Sequence, residues 1–269
     1  MDRLIAITLL ICFTAIPRSE AGFALNLFFN ECRAQAGDPK KYEIADRRGV
    51  TNIEFRSFDG ATLRGYRIAA HTAKTRGVIL VAQGNAQLAK RLVTPLQSFA
   101  AAGFDVHLYD YRSLGESSGL ASVEGIFRDY RGILDQLRQQ YDGRWVVGYG
   151  VSAGGIMLLN AVGEMKPKTA LILDATPDKV PLLIAFEFPR GAIASARIKT
   201  IGRDLRHVMA ISGRKDNKVK ESNMRVLRQT ISSSGGQVVS DAELAHPYEA
   251  NDNVQRRLAI IGTFLSRLN

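Results

Sequence analysis

The chain has 269 residues, 46% hydrophobic and 23% charged, a balance that fits a globular fold with a sizeable core and excludes a largely disordered chain. The formal net charge is +10 and the pI is near 9.8, which favours anionic partners. The basic residues are scattered as pairs (Lys40-Lys41, Arg47-Arg48, Arg256-Arg257) with no basic tract interleaved with aromatics, so nucleic acid is excluded as a partner, while peripheral contact with an anionic membrane stays open.

The chain opens with Arg3 and an apolar run from Leu4 to Ile16, broken at Pro17 and followed by Ser19-Glu20-Ala21. A charged start, a short apolar run and small residues before a cut after Ala21 form the pattern of a secretory signal peptide over residues 1–21. The run is shorter than the ~20 residues that a membrane-spanning helix needs. Export to the periplasm or the medium is the expectation; the alternative is an uncleaved anchor, extended by Leu25 to Phe29. Cys12 lies in this leader, and Ile11 before it argues against a lipoprotein site. Cys32 is then the sole cysteine of the mature chain, which excludes an internal disulfide, and no Cys/His zinc spacing is present.

Residues 22–49 read as a polar lead-in and residues 50–269 as the main domain. Ile53–Ser57 and Leu63–Ile68 alternate around Phe58-Asp59-Gly60, a hairpin signal. The pattern then changes to continuous apolar runs at Val78–Ala82, Val106–Tyr109, Trp145–Val147, Ala170–Leu173 and Val208–Ile211, with helix-like segments near 86–101, 122–140, 153–164 and 218–232. A last strand near Gln237–Val239 and a helix over about 249–267 follow. Apolar strands that alternate with helices predict an α/β fold with a mostly parallel sheet buried on both faces. The connection over about 175–207, with Pro177, Pro181 and Pro189, reads as a short cap.

Ligands of such sheets bind at the carboxyl ends of the strands, so chemistry is sought just past each strand. Gly150-Val151-Ser152-Ala153-Gly154 matches G-x-S-x-G where a strand pattern gives way to a helix pattern. That context suits a nucleophile on a strained corner, with glycines where side chains would collide. A serine needs a base. Of four histidines, His246 alone follows the last predicted strand, whereas His71 follows the hairpin, His107 lies inside a strand and His207 precedes one. The carboxylate that orients the base is expected at Asp216, after the Val208–Ile211 strand; Asp174 is the runner-up and Asp241 a competitor. The oxyanion donors are expected to be the backbone amides of Ala153 and Asn85, with Ala86 as an alternative for the second.

From about residue 50 to 268 the sequence resembles the α/β-hydrolase superfamily, in particular its compact depalmitoylase-like and lysophospholipase-like serine hydrolases. The resemblance rests on Gln83-Gly84-Asn85-Ala86 beside the family's H-G-N-A loop, on Asp110-Tyr111-Arg112-Ser113-Leu114-Gly115-Glu116-Ser117 beside D-Y-R-G-x-G-x-S, on the Ser152 corner, on Gly213-Arg214-Lys215-Asp216 beside G-x-x-D, and on His246. It departs at Gln83, at Ser113 and at Ala245, which stand where the family often has histidine, glycine and glycine. The resemblance implies an α/β-hydrolase fold and hydrolysis of an acyl ester or thioester, including lipid esters, without metal or organic cofactor. It also implies that Asp110 and Arg112 support the site floor. Leu182, Leu183, Ile184, Phe186 and Phe188 of the cap are candidates for an acyl pocket or for core. A noncatalytic binding protein of this fold and a peptidase of this fold are the alternatives.

Overall fold

The computed structural model describes residues 29–180 and 192–268. The expected leader (1–21) and the apolar cap residues 182–188 lie outside the described residues.

Residues 29–36 form a helix, α1, followed by a short 3-10 turn at Pro39–Lys41. The hairpin pairs β1 (Val50–Arg56) with β2 (Thr62–Ile68) in antiparallel register, Phe55 opposite Leu63. Then come β3 (Gly77–Ala82), α2 (Ala89–Ala101), β4 (Phe104–Tyr109), α3 (Val123–Gln140), β5 (Trp145–Val151), α4 (Ala153–Ala161) and β6 (Thr169–Asp174). After the cap region, which holds the short helix α5 (Ala194–Arg197), follow β7 (Val208–Gly213), α6 (Arg225–Ser233), β8 (Gln237–Asp241) and α7 (Val254–Ser266).

Among the described residues these strands form one eight-stranded sheet in the order β1-β2-β4-β3-β5-β6-β7-β8. β1, β2 and β4 pair antiparallel, and every pair from β4 through β8 is parallel. The chain turns back at β3, which lies between β4 and β5, so a crevice opens beyond the ends of these central strands.

The continuous apolar runs have a direct cause. In β3, Val78, Leu80 and Ala82 face a core shared with α3, α4 and α6, while Ile79 and Val81 face a second core shared with α2 and α7. Side chains alternate across a strand, so burying both faces demands apolar residues at every position. The helices carry the matching stripes: α3 buries Ile126, Tyr130, Ile133, Leu134 and Leu137, and Ser122 caps its start by accepting from the Gly125 amide at 3.0 Å.

The expected lead-in does more than lead in. Cys32, Ala36 and Ile44 are buried against the main domain, and the Lys90 ammonium donates to the Pro39 carbonyl at 3.1 Å. The helix at 29–36 has no clear apolar period in the sequence because only one side of two turns touches the domain. No helix among the described residues is long and apolar enough to cross a membrane.

Leu80 is fully buried on the central strand and Leu120 is 85% exposed. Leu80→Ala is expected to cost about 2–5 kcal/mol, and Leu120→Ala less than about 0.5 kcal/mol, as read from urea midpoints.

Candidate active site

Sheet register aligns the strand ends that carry the candidate residues. Ala82 lies opposite Gly150, Val151 opposite Asp174, and Gly213 opposite Asp241. The loops after β3, β5, β7 and β8 therefore leave the sheet along one rim.

Ser152 occupies the corner between β5 and α4 with φ 53° and ψ −121°, a conformation that costs a non-glycine residue about 1–3 kcal/mol. Its amide donates to the Asp174 carbonyl at 2.7 Å, and its carbonyl accepts from the Gly155 amide at 3.1 Å. The flanking glycines are required by space. A Cβ at Gly150 would lie 2.4 Å from the Gly155 Cα, one at Gly154 would lie 2.0 Å from the Ala82 carbonyl oxygen, and one at Gly155 would lie 1.9 Å from the Thr176 hydroxyl. Gly155, beyond the motif, is thus as constrained as the two glycines within it.

His246 is buried, and its Nδ1 lies 2.8 Å from Asp216 Oδ2. Asp216 Oδ1 accepts from the Lys218 and Val219 amides, each at 2.8 Å. Burial pushes the Asp216 carboxyl up, but the imidazole and the two amides outweigh it and hold the group below its ordinary value. With Nδ1 committed to Asp216, Nε2 is the ring nitrogen left for chemistry. Ser152 and His246 open onto the same cavity. The Ser152 hydroxyl makes no hydrogen bond to a described residue.

Asp174, the runner-up acid, is engaged elsewhere. It ion-pairs with Arg257 and accepts from the Tyr149 hydroxyl at 2.9 Å. Asp241 pairs with Arg256 at 2.7 Å. Arg257, grouped in the sequence with surface cations, is fully buried on α7 in line with Leu258, Ile261 and Leu265. It also donates to the Ala245 carbonyl at 2.6 Å and to Asp252 at 3.0 Å, which pins the residue just before His246. Its position on the apolar stripe of α7 is the signal that could have found it.

The loop after β3 brings Gly84 close to the serine: a Cβ at Gly84 would stand 3.5 Å from the Ser152 Cβ. The Asn85 amide donates to no described acceptor, and the Ala153 amide is one of the first-turn donors that a helix leaves unpaired. Ala86 has φ 58°, and its amide faces the Cys32 sulfur. Gln83 does not reach the cavity. Its Nε2 donates to the Tyr109 carbonyl at 2.8 Å and its own carbonyl accepts from the Tyr111 hydroxyl at 2.6 Å. Gln87, unremarked in the sequence, accepts from the Gly84 amide at 3.0 Å and donates to the Pro247 carbonyl at 3.1 Å. It therefore ties the Asn85 loop to the His246 loop.

Asp110 and Arg112, expected beneath the site, are held by separate partners and do not pair with each other. Asp110 accepts from the Ala89 amide at 2.7 Å, and burial pushes its carboxyl up to about 7. Arg112 grips Asp129 with two bonds of 2.7 Å and reaches Asp59 at 2.9 Å. Ser113, where the resembled motif has glycine, takes a left-handed backbone (φ 64°).

The cavity has a volume of about 1050 Å³. Phe29, Cys32 and Gln35 of α1 form part of its wall. Burial pushes the Cys32 thiol up to about 11, so it is a neutral wall residue. Among the described residues no cluster of His, Cys, Asp and Glu is arranged to hold a metal.

Residues 73–234 match the family model described as serine aminopeptidase, S33, and the chain belongs to this family of the α/β-hydrolase superfamily. It is an α/β hydrolase. Over 172 residues it is 28% identical to protein YfhR of Escherichia coli K12, covering 61% of this chain and 57% of that protein. The chain thus spans little more than half the length of this relative. By structure it is similar to the Pyrococcus furiosus esterase Pf2001 (TM-score 0.64, 17% identity, 82% of this chain and 93% of that one). It is also similar to an alpha-beta hydrolase of Vibrio vulnificus (TM-score 0.71, 15% identity, 94% and 95%).

Two predictions follow from this geometry. Arg257→Met leaves the buried Asp174 carboxylate unpaired and is expected to cost about 3–5 kcal/mol in urea unfolding; the double change Arg257→Met/Asp174→Leu is expected to recover part of it. The depressed Asp216 stabilises the fold in full above the pKa of an unfolded aspartate, about 4, and this contribution is lost as pH falls through the lower folded value. Asp216→Asn is therefore expected to flatten the acid limb of stability against pH, read from urea midpoints between about pH 2 and 6.

Proposed function

We propose that the chain is a serine hydrolase of carboxylic esters or thioesters of acyl groups. The observation that carries this reading is the Asp216–His246 contact of 2.8 Å at the cavity onto which the strained Ser152 opens. Asp216 holds the imidazole with Nδ1 protonated, and Nε2 takes the Ser152 proton as the oxygen attacks the acyl carbon. The negative oxygen of the tetrahedral intermediate is held by the Asn85 and Ala153 amides, at the first turn of α4. The imidazolium returns its proton to the departing alkoxide or thiolate. Water, deprotonated by the same nitrogen, then releases the acid. No metal or organic cofactor takes part in these steps.

The family description and the esterase named among the structural relatives both point to acyl transfer. An aminopeptidase must also hold a substrate ammonium with a free carboxylate. Among the described residues of the lining, the one aspartate and the one glutamate are both occupied: Asp178 accepts from the Val226 and Leu227 amides at 2.8 Å each, and Glu249 pairs with Lys218 at 2.6 Å. This favours the esterase reading. The leader read in residues 1–21 would place the activity outside the cytoplasm.

A fluorophosphonate probe is expected to label the wild type and not Ser152→Ala. On p-nitrophenyl acyl esters, Ser152→Ala and His246→Ala are each expected to lower kcat by roughly 10⁴–10⁶, with Asp216→Asn similarly damaging. Aminoacyl p-nitroanilides are expected to turn over far more slowly. Undiminished kcat in Asp216→Asn, with loss in a folded Asp174→Asn, would overturn the acid assignment. Faster turnover of the anilides would favour the peptidase.

A further inference from the structure

The lining of the cavity is divided. On one side of Ser152 it is built by Tyr111 and Leu114 after β4, Val123 and Ile126 of α3, and Ile156 and Met157 of α4, each buried and none charged. Charge sits on the other side. Apart from Arg91, whose guanidinium stacks on the Tyr42 ring at 5.0 Å, every Lys, Arg, Asp and Glu among the described lining residues comes from the segments that follow β6, β7 and β8. The strand order explains the split, because β4 and β6–β8 lie on opposite sides of β5, which carries Ser152 at its end.

The charges on that side do not cancel. Both Asp178 oxygens are taken by amides of the first turn of α6, and Glu249 is taken by Lys218. Lys179 and Arg225 have no carboxylate partner among the described residues, and both are exposed. They are brought together by the backbone. The Asp178 amide donates to the Asn223 carbonyl at 2.6 Å and Asp178 Oδ2 accepts from the Val226 amide at 2.8 Å, so the neighbours of these clamped residues, Lys179 and Arg225, share one stretch of rim. Two adjacent, unpaired cations beside a reaction centre raise the local concentration of anions and hold them.

The chemistry says which half of a substrate meets them. A leaving alkoxide takes its proton from His246, so the alcohol half lies toward the loop after β8, the side of Lys179 and Arg225. The acyl half then lies toward the apolar wall. Given the serine-hydrolase reading above, on which this rests, we propose that Lys179 and Arg225 form a subsite for a phosphate or carboxylate group on the alcohol half of the ester. The step itself is unchanged: the Ser152 oxygen bonds to the acyl carbon, the ester C–O bond breaks, and the proton passes through the imidazole to the anionic alcohol that leaves.

The test compares 1-octanoylglycerol 3-phosphate, the octanoyl ester of glycerate, and neutral 1-octanoylglycerol at low ionic strength. The expected wild-type ratio of kcat/KM, anionic over neutral, is at least about tenfold and shrinks with added salt. In Lys179→Ala/Arg225→Ala the ratio is expected to fall close to one, while Lys199→Ala, which removes a cation outside the cavity, keeps it. Preference for the phosphate ester alone would identify the anion as phosphate, and preference for both would mean that charge suffices. A wild-type ratio near one, a ratio unchanged in the double variant, or no turnover of any ester would overturn the subsite. If octanoylglycerol hydrolysis is lost in Ser152→Ala while the ratio is flat, only the subsite falls. If hydrolysis survives in Ser152→Ala, the serine-hydrolase reading falls with it.

Discussion

A methyl group at position 154 would stand 2.0 Å from the Ala82 carbonyl oxygen and 2.6 Å from that of Gln83. The first turn of α4 is therefore pressed against the end of β3 as closely as backbone allows, and the arrangement of the rim depends on that approach. It brings the Gly84 loop beside Ser152. The contact also fixes the helix axis, because Gly155 meets Thr176 at the end of β6 and Gly150 meets Gly155 from below. With three close approaches on three sides, the corner has one way to pack, and the unfavourable backbone of Ser152 is held by its surroundings.

The other half of the rim is held by charge. A buried arginine is expensive unless every donor finds a partner. Arg257 meets Asp174, Asp252 and the Ala245 carbonyl, and Asp174 in turn meets Tyr149, whose hydroxyl lies 3.0 Å from that of Tyr248. Both Ala245 and Tyr248 flank His246. The network spans α7, β5, β6 and the histidine loop, so the position of the imidazole is set from beneath by elements far apart in the chain. Gln87 closes the circuit above it, from Gly84 to Pro247.

What was legible in the sequence follows from the range of the interactions. The strands β3 to β7 announce themselves because burial on two faces forces uninterrupted apolar runs, and α2, α3 and α6 carry a helical apolar period. The G-x-S-x-G corner is legible because its cause is local crowding. Arg257 is not, because its partner Asp174 lies 83 positions away and a basic residue reads as surface until the stripe around it is noticed. Gln87 is missed for the same reason, with Pro247 160 positions away. Helix α1 is missed because the cavity wall it supplies is made by three residues, Phe29, Cys32 and Gln35. The partner of Arg112 is not legible either, since Asp129 belongs to α3 and not to its own motif.

Three buried aspartates show why chain position alone could not choose the acid. Asp110 receives backbone amides but no cation, and burial dominates, so its carboxyl rises. Asp174 is enclosed completely, and burial again lifts it despite the guanidinium of Arg257 and the Tyr149 hydroxyl. Asp216 is also buried, yet its two oxygens collect one imidazole and two amides, and its carboxyl falls. Of the three, only Asp216 both has its carboxyl held down and faces an imidazole, the combination that stabilising an imidazolium calls for. Asp174 ends the parallel strand β6 and Asp216 follows the parallel strand β7 by a short step, so a rule of strand ends admits either. The difference lies in the turn Asp216-Asn217-Lys218-Val219, whose amides fold back onto the carboxylate and leave its second oxygen for His246, whereas the carboxylate of Asp174 is already spent on α7.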